Sequence, residues 1–268
     1  MRATIVLVVL AACGRIDFSQ ADSGQGVDTA SGSDARACGT HDEDGDGVMD
    51  GCDDCPQESD PAQADADFDG VGDVCDPHIS NPGDAIAFFD PFTSQDPGWV
   101  VNRPALATWD GDSVTLDSRN DSLDMERVLA LDGDSVSIRG TLIDHAGQQE
   151  QIAIMNYSST GGWVYCELYE DTSAAGSDKY SLTQTVDRAV FTSLQSESLD
   201  RDLGIENIQY RLEMLAERSG LVTCLTDWPV ADDHVSGMPM AGLGGETVRI
   251  QLLSLRVRLD SYIQYHTQ

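Results

Sequence analysis

Val248-Arg249-Ile250-Gln251-Leu252-Leu253-Ser254-Leu255-Arg256-Val257-Arg258-Leu259 alternates apolar with polar or charged side chains over almost its whole length. A period of two sends successive side chains to opposite sides of an extended chain, so the stretch reads as strand with one face buried and the other wet. Short apolar or alternating runs recur upstream, at Ala85-Ile86-Ala87-Phe88-Phe89, Ser113-Val114-Thr115-Leu116, Ser135-Val136-Ser137-Ile138, Gln151-Ile152-Ala153-Ile154-Met155, 162–168, Tyr180-Ser181-Leu182, Tyr210-Arg211-Leu212-Glu213-Met214 and 221–225. Hairpin-type dipeptides punctuate them: Asp110-Gly111, Asp132-Gly133, Gly161-Gly162 and Ser219-Gly220. About ten strands connected in this way predict an all-β, antiparallel two-sheet sandwich over residues 84–268. That segment holds 185 residues and all four Trp, enough for one sizeable core.

The rest of the chain has a different character. There are 47 Asp and Glu against 15 Lys and Arg in 268 residues, a formal net charge of −32, with Lys179 the single lysine. A chain so acidic is repelled by phosphate backbones, and no basic cluster offsets the charge, so nucleic acid is excluded as a partner. At the amino end Met1-Arg2-Ala3 precedes an apolar run, residues 4–12, that is too short for a permanent membrane span and reads as a signal peptide over residues 1–12. Leu10-Ala11-Ala12-Cys13 resembles the lipobox of bacterial lipoproteins. That resemblance implies lipid modification of Cys13 and a membrane-anchored partner of the cell envelope, with Gly14 in place of Asp pointing to the outer membrane or cell surface. Residues 13–37 are Gly, Ser, Ala and Asp with few large apolar side chains, and are expected to form a flexible tether.

Residues 38–83 carry the most specific pattern. Between Cys38 and Asp76 there are 14 acids and no Lys or Arg. They fall at fixed offsets: Asp42, Asp44, Asp46, Gly47, Asp50, Asp53, and again, 23 residues later, Asp65, Asp67, Asp69, Gly70, Asp73, Asp76. Counted from the first Asp, oxygen ligands stand at 1, 3, 5, 9 and 12 with Gly at 6 for the turn, and position 7 offers a backbone carbonyl, from Val48 and Val71. This is the spacing that wraps a hard cation, and calcium, which accepts six to eight oxygens in irregular geometry, is the expected cofactor. EF-hands are excluded, because Cys55-Pro56, Asp60-Pro61 and Pro77 leave no amphipathic helix on either flank.

The full pattern, from Asp42 through Cys55-Pro56 and Asp60-Pro61-Ala62-Gln63 to Gly72-Asp73-Val74-Cys75-Asp76, resembles thrombospondin type 3 repeats. The resemblance implies an almost helix-free segment wrapped around calcium and pinned by disulfides, with Asp in place of Glu at position 12. It implies a Cys55–Cys75 bridge, which leaves Cys38 with Cys52 as the nearest remaining pair. Cys166 and Cys224 lie in apolar runs that read as neighbouring strands; they either form a bridge or are two buried thiols. An even count once Cys13 is set aside suits an oxidising compartment.

Phe89-Asp90-Pro91-Phe92, Gly98-Trp99, the Trp109-Asp110-Gly111 turn and a closing strand after Gly242-Leu243-Gly244-Gly245 together resemble the concanavalin A-like, laminin-G-like jelly-roll domains of secreted bacterial proteins. That resemblance implies a glycan or protein ligand on a concave sheet face. Trp99, Trp109, Trp163 and Trp228 are expected to pack in the core. Hydrolytic relatives present carboxylates through a Glu-x-Asp-x-x-Glu string, which is absent: Glu167 and Glu170 are three apart and fall on opposite faces of a strand, and Asp124-Met125-Glu126 supplies two members. No Gly-x-Ser-x-Gly elbow, phosphate loop or His-Glu-x-x-His occurs, and His145 and His234 stand alone. The sequence thus predicts a calcium-stabilised spacer displaying a β-sandwich that binds glycan or protein and is not an enzyme. A surface-tethered glycan hydrolase and a structural envelope subunit are the alternatives.

Overall fold

The computed structural model describes residues 38–119, 121–128, 135–157, 162–171, 179–186, 190–198, 207–216, 220–226, 233–239 and 247–267. The signal segment, Cys13 and the tether lie outside these residues, as does Trp228. Among the described residues there are fifteen strands: β1 (Ala85–Asp90), β2 (Trp99–Val101), β3 (Ala107–Trp109), β4 (Val114–Asp117), β5 (Ser122–Val128), β6 (Ser135–His145), β7 (Gln149–Tyr157), β8 (Trp163–Asp171), β9 (Lys179–Val186), β10 (Val190–Ser198), β11 (Ile208–Ala216), β12 (Val222–Thr226), β13 (Asp233–Gly237), β14 (Thr247–Leu253) and β15 (Leu255–His266). They form two antiparallel sheets. One has eight strands in the order β13-β12-β11-β6-β15-β4-β3 with β1 also on β15, and the other has seven, β10-β9-β8-β7-β14-β5-β2.

The stretch 248–259, which reads as one strand, is two strands in two sheets. The alternation survives across the junction, but Ser254 takes a left-handed backbone with φ 55°, and the chain leaves the seven-stranded sheet for the eight-stranded one there. The crossing is held by local hydrogen bonds: Ser254 N–H donates to Asp121 O at 3.0 Å, and Leu255 N–H to Ser118 Oγ at 3.1 Å. Inward side chains of both sheets, among them Met125, Ile154, Leu168 and Ile250 on one side and Leu116, Ile138, Leu212 and Val257 on the other, form one core. Each such residue contributes about 1.5–3 kcal/mol by leaving water.

Two irregularities add a third layer. The register of β15 shifts between Leu259 and Ser261, so the alternation slips by one. Leu255, Val257 and Leu259 face the core before the slip and Tyr262 faces it after, which turns Ile263 and Tyr265 to the outer side. A matching shift in β1 between Ile86 and Phe88 leaves Phe88 on the core side and gives Ile86 and Phe89 to the outer side. Residues 38–83 lie on this outer face: Val71 packs with Ile263 and Tyr265, Gln57 Nε2 donates to Ser261 Oγ at 2.9 Å, and Glu58 accepts from both Arg139 and Arg211. The segment is layered on the sandwich rather than standing off it as a spacer. Its regular structure is a single 3₁₀ turn, Asp50–Cys52, in keeping with the expected lack of flanking helices.

The structure contains the bridges Cys38–Cys52, Cys55–Cys75 and Cys166–Cys224. The last differs from the sequence expectation in one respect. Cys166 on β8 and Cys224 on β12 belong to different sheets, so the bridge crosses the core instead of joining neighbouring strands.

Candidate functional site

Each acidic loop is built around its first carboxylate. Asp42 accepts from Gly45 N–H and Gly47 N–H at 2.9 and 3.0 Å, and Asp65, 23 residues on, accepts from Phe68 N–H and Gly70 N–H at 2.7 and 3.0 Å. Gly47 and Gly70 sit at φ 98° and 95°, the left-handed turn that position 6 requires. Position 9 repeats as well: Asp50 accepts from Glu43 N–H and Asp73 from Ala66 N–H, both at 2.8 Å. In each loop three carboxylates converge, Asp42 with Asp44 and Asp46, and Asp65 with Asp67 and Asp69, with ligand atoms within 4.8 Å of one another. Asp50, Asp53, Asp73 and Asp76 are not part of these groups; Asp53 accepts from Cys55 N–H and Gln63 Nε2, and Asp76 from His78 N–H.

The donor set fits a hard cation. Oδ2 of Asp44 and both carboxylate oxygens of Asp67 are buried without a hydrogen-bond partner. Burial, and then the neighbouring carboxylates, push Asp44 up to about 6. Acceptor-only oxygens gathered at this distance repel one another unless a cation lies between them.

The outer face of the seven-stranded sheet is a second constellation. On β8, alternation places Val164, Cys166 and Leu168 in the core and sends Trp163, Tyr165, Glu167 and Tyr169 outward. Their partners on β7 are Tyr157, Met155, Ala153 and Gln151. Trp163 is therefore outside the core between the sheets: it is half-buried against an outer cluster of Ala153, Met155 and Tyr165, its ring meets Tyr157 edge-on at 4.9 Å, and it carries the Arg249 guanidinium 4.4 Å above it. Trp99, by contrast, is 3% exposed and lies in the core as expected, and Trp109 packs against it. Glu167 accepts from Ser181 Oγ at 2.6 Å, from Thr183 Oγ1 at 3.1 Å and from Gln151 Nε2. Burial beside Glu167 pushes the Tyr165 hydroxyl well above the usual range.

Farther along the same face, β5 alternates Leu123 and Met125 into the core with Asp124 and Glu126 outward. Glu126 pairs with Arg249 on β14, and Asp124 accepts from Gln251 Nε2 at 2.8 Å. Two residues along a strand span about 6.6 Å, so these carboxylates stand side by side on one surface. Glu170 falls on the opposite face from Glu167, as their spacing predicted; it is buried opposite Glu150, which His145 Nδ1 contacts at 2.7 Å. His145 is thus not solitary, while His234 is exposed. Nothing in the sequence marks the 145–150–170 contact, because it is made by cross-strand register.

No family model matches this chain, and no curated protein matches it. Solved structures do. A non-specific endo-β-1,3(4)-glucanase of family GH16 aligns with a TM-score of 0.52 at 9% identity, over 69% of this chain and 92% of that one. The CBM2 module of the evolved Dit protein of Lactobacillus casei BL23 phage J-1 aligns with 0.51 at 10%, over 68% and 95%. A β-1,3-1,4-glucanase (lichenase) derived from a mouse hindgut metagenome aligns with 0.50 at 8%, over 66% and 97%. The fold is a jelly roll.

The same fold occurs in glucanases and in a carbohydrate-binding module alike. The expectation that the chain is not an enzyme is corrected by these likenesses. It rested on a missing local string, and a jelly roll can assemble its carboxylates from any strands whose alternation points them to one face.

Proposed function

We propose that this chain acts on a glycan laid across the outer face of the seven-stranded sheet and hydrolyses it with Asp124 and Glu126. The observation that carries this reading is that both carboxylates project from β5 to the face that also bears Trp163, Tyr157 and Glu167. Two carboxylates on one face can hydrolyse a glycosidic bond when one protonates the leaving oxygen and the other acts on the opposite side of the sugar, attacking the anomeric carbon or deprotonating a water that does. Glu126, with the Arg249 guanidinium at its side, and Asp124, held by Gln251, are the two carboxylates this reading assigns to the reaction. Trp163 gives an apolar platform for a sugar ring, and Glu167 with its hydroxyl neighbours gives acceptors and donors for ring hydroxyls.

The same reading sets the chain in the cell envelope, anchored to a membrane through lipid on Cys13. Calcium is held in the first loop by Asp42, Asp44 and Asp46 with the Val48 carbonyl, Asp50 and Asp53, and in the second by Asp65, Asp67 and Asp69 with the Val71 carbonyl, Asp73 and Asp76. What supports the ion is the set of buried, partnerless carboxylate oxygens; what supports the anchor is the sequence around Cys13.

The test is to incubate the full chain, in detergent and calcium, with a panel of insoluble polysaccharides, and to record both retained protein and released sugar. The expected result is release from at least one polymer, abolished in Glu126→Gln with retention intact. Retention without release would overturn hydrolysis, and neither would move the sandwich to a protein ligand or a structural role.

A further inference from the structure

Val48 and Val71 hold the same place in their loops, position 7, yet their side chains have different surroundings. Val71 is 0% exposed and packs with Ile263 and Tyr265 of β15 and with Phe89 of β1. Val48 is half-buried and belongs to no apolar cluster among the described residues. The second loop is also tied to the sandwich by its fifth-position carboxylate. Asp69 Oδ1 accepts from Val71 N–H at 3.0 Å, and its Oδ2 accepts from Gly83 N–H and Asp84 N–H at 3.0 and 2.8 Å, at the entry to β1. In the first loop Asp46 makes the corresponding bonds, to Val48 N–H and Asp60 N–H, and both of those lie within the segment itself.

Val71 thus stands at the position whose carbonyl the loop spacing assigns to the second cage, while its side chain fills the outer cluster that the β15 slip creates. We propose that Val71 is a positioning residue for the second cation site: seating its side chain against Ile263 and Tyr265 fixes its carbonyl in the cage, so cation affinity at that loop and packing of the outer cluster form one coupled equilibrium. The first loop lacks this apolar seat; its side-chain tie to the sandwich is polar, from His41 to Asp112 at 3.3 Å. The proposal rests on the calcium reading above. Reciprocity then requires that loosening the cluster weakens the ion, and that the ion stabilises the cluster.

The experiment titrates calcium into the full chain by calorimetry and follows thermal unfolding with and without the ion. Val71→Ala leaves every oxygen ligand in place, and is expected to weaken one of two sites about fivefold, while Val48→Ala changes neither site by more than about twofold. Ile263→Val, which trims the sheet without touching a loop, is expected to weaken the same site in the same direction by less. Equal effects of Val48→Ala and Val71→Ala, or an unchanged site in Ile263→Val, would overturn the coupling while leaving calcium binding intact. No calcium heat from the unaltered chain would overturn the calcium reading and this inference together.

Discussion

Arg139 on β6 and Arg211 on β11 stand directly opposite one another, and both guanidiniums donate to Oε1 of Glu58. Like charges in opposed cross-strand positions repel, so the arrangement holds because a carboxylate from the overlying segment sits between them. The acidic layer is therefore fastened to the sandwich by contacts of different chemistry, among them an ionic one at Glu58 and an apolar one at Val71.

Glu58→Gln should destabilise the chain more than loss of one exposed ion pair would. It removes the shared negative charge and leaves only a neutral amide between the two guanidiniums. All three side chains are between a quarter and a third exposed, so the expected loss is about 1 kcal/mol. Arg211→Gln in the Glu58→Gln background should recover part of it. A double-mutant cycle on denaturant midpoints checks this, and additive effects would refute a shared acceptor.

Phe68 tests the loop repeat. It occupies the place held by Gly45 in the first loop, with φ 64° against 74°, and it is 87% exposed. An exposed phenyl ring gains little from burial there, and a left-handed backbone costs a non-glycine residue about 1–2 kcal/mol. Phe68→Gly should raise the thermal midpoint or leave it level, after about 0.5–1 kcal/mol of added chain entropy is subtracted. Gly45→Ala should lower it. A lowered midpoint in Phe68→Gly would show that the ring has a contact the fold depends on.

Asp117 supplies a pH dependence. Arg119 grips it with two hydrogen bonds, Nε to Oδ1 at 2.9 Å and Nη2 to Oδ2 at 2.7 Å, and also reaches Asp144. The guanidinium holds the Asp117 carboxyl below the usual carboxylate range. Because the folded value lies below the unfolded one, the stabilisation is complete above the unfolded value of about 3.9 and is lost as pH falls through the folded value. Both side chains are about one-third exposed, so the contribution is about 0.5 kcal/mol. Asp117→Asn should be less stable than the unaltered chain by that amount at pH 7, with the gap closing below pH about 4. Urea midpoints across pH measure it.

Apolar runs and period-two patterning made ten of the strands legible, and the doubled Asp spacing made the loops legible, because both are properties of short windows; β2, β3, β5, β10 and β13 fell outside the runs so marked. Ser254 was not legible as a sheet crossing, since apolar alternation carries straight through it. The slip at Asp260–Ser261 inverts which side chains of β15 face inward, and no composition signal precedes it. Docking of residues 38–83 depends on contacts such as Gln57 to Ser261, 204 residues apart, and on Arg pairs that look like ordinary solvated strand positions. The Cys166–Cys224 bridge was legible as a possible pair, but its role across the core required knowing which strands share a sheet.

The sequence led one to expect both Trp99 and Trp163 in the core; Trp99 is there and Trp163 is not, so the two should separate under mutation. Trp99 lies between the sheets, donates Nε1–H to Asp90 Oδ2 at 2.8 Å and meets Tyr262 edge-on at 5.2 Å. Trp99→Ala should cost about 3–5 kcal/mol and weaken every activity through unfolding. Trp163 lies outside the core between the sheets, half-buried on the outer cluster of Ala153, Met155 and Tyr165 and beneath Arg249, so Trp163→Ala should cost less stability. On the proposed glycan face its loss removes the stacking platform and the surface that holds Arg249 beside Glu126, so polysaccharide retention should fall about tenfold and sugar release with it. Pull-down isotherms on the polymer identified in the panel, run alongside thermal melts, measure both. Unchanged retention in a well-folded Trp163→Ala protein would remove the seven-stranded face from consideration as the glycan site.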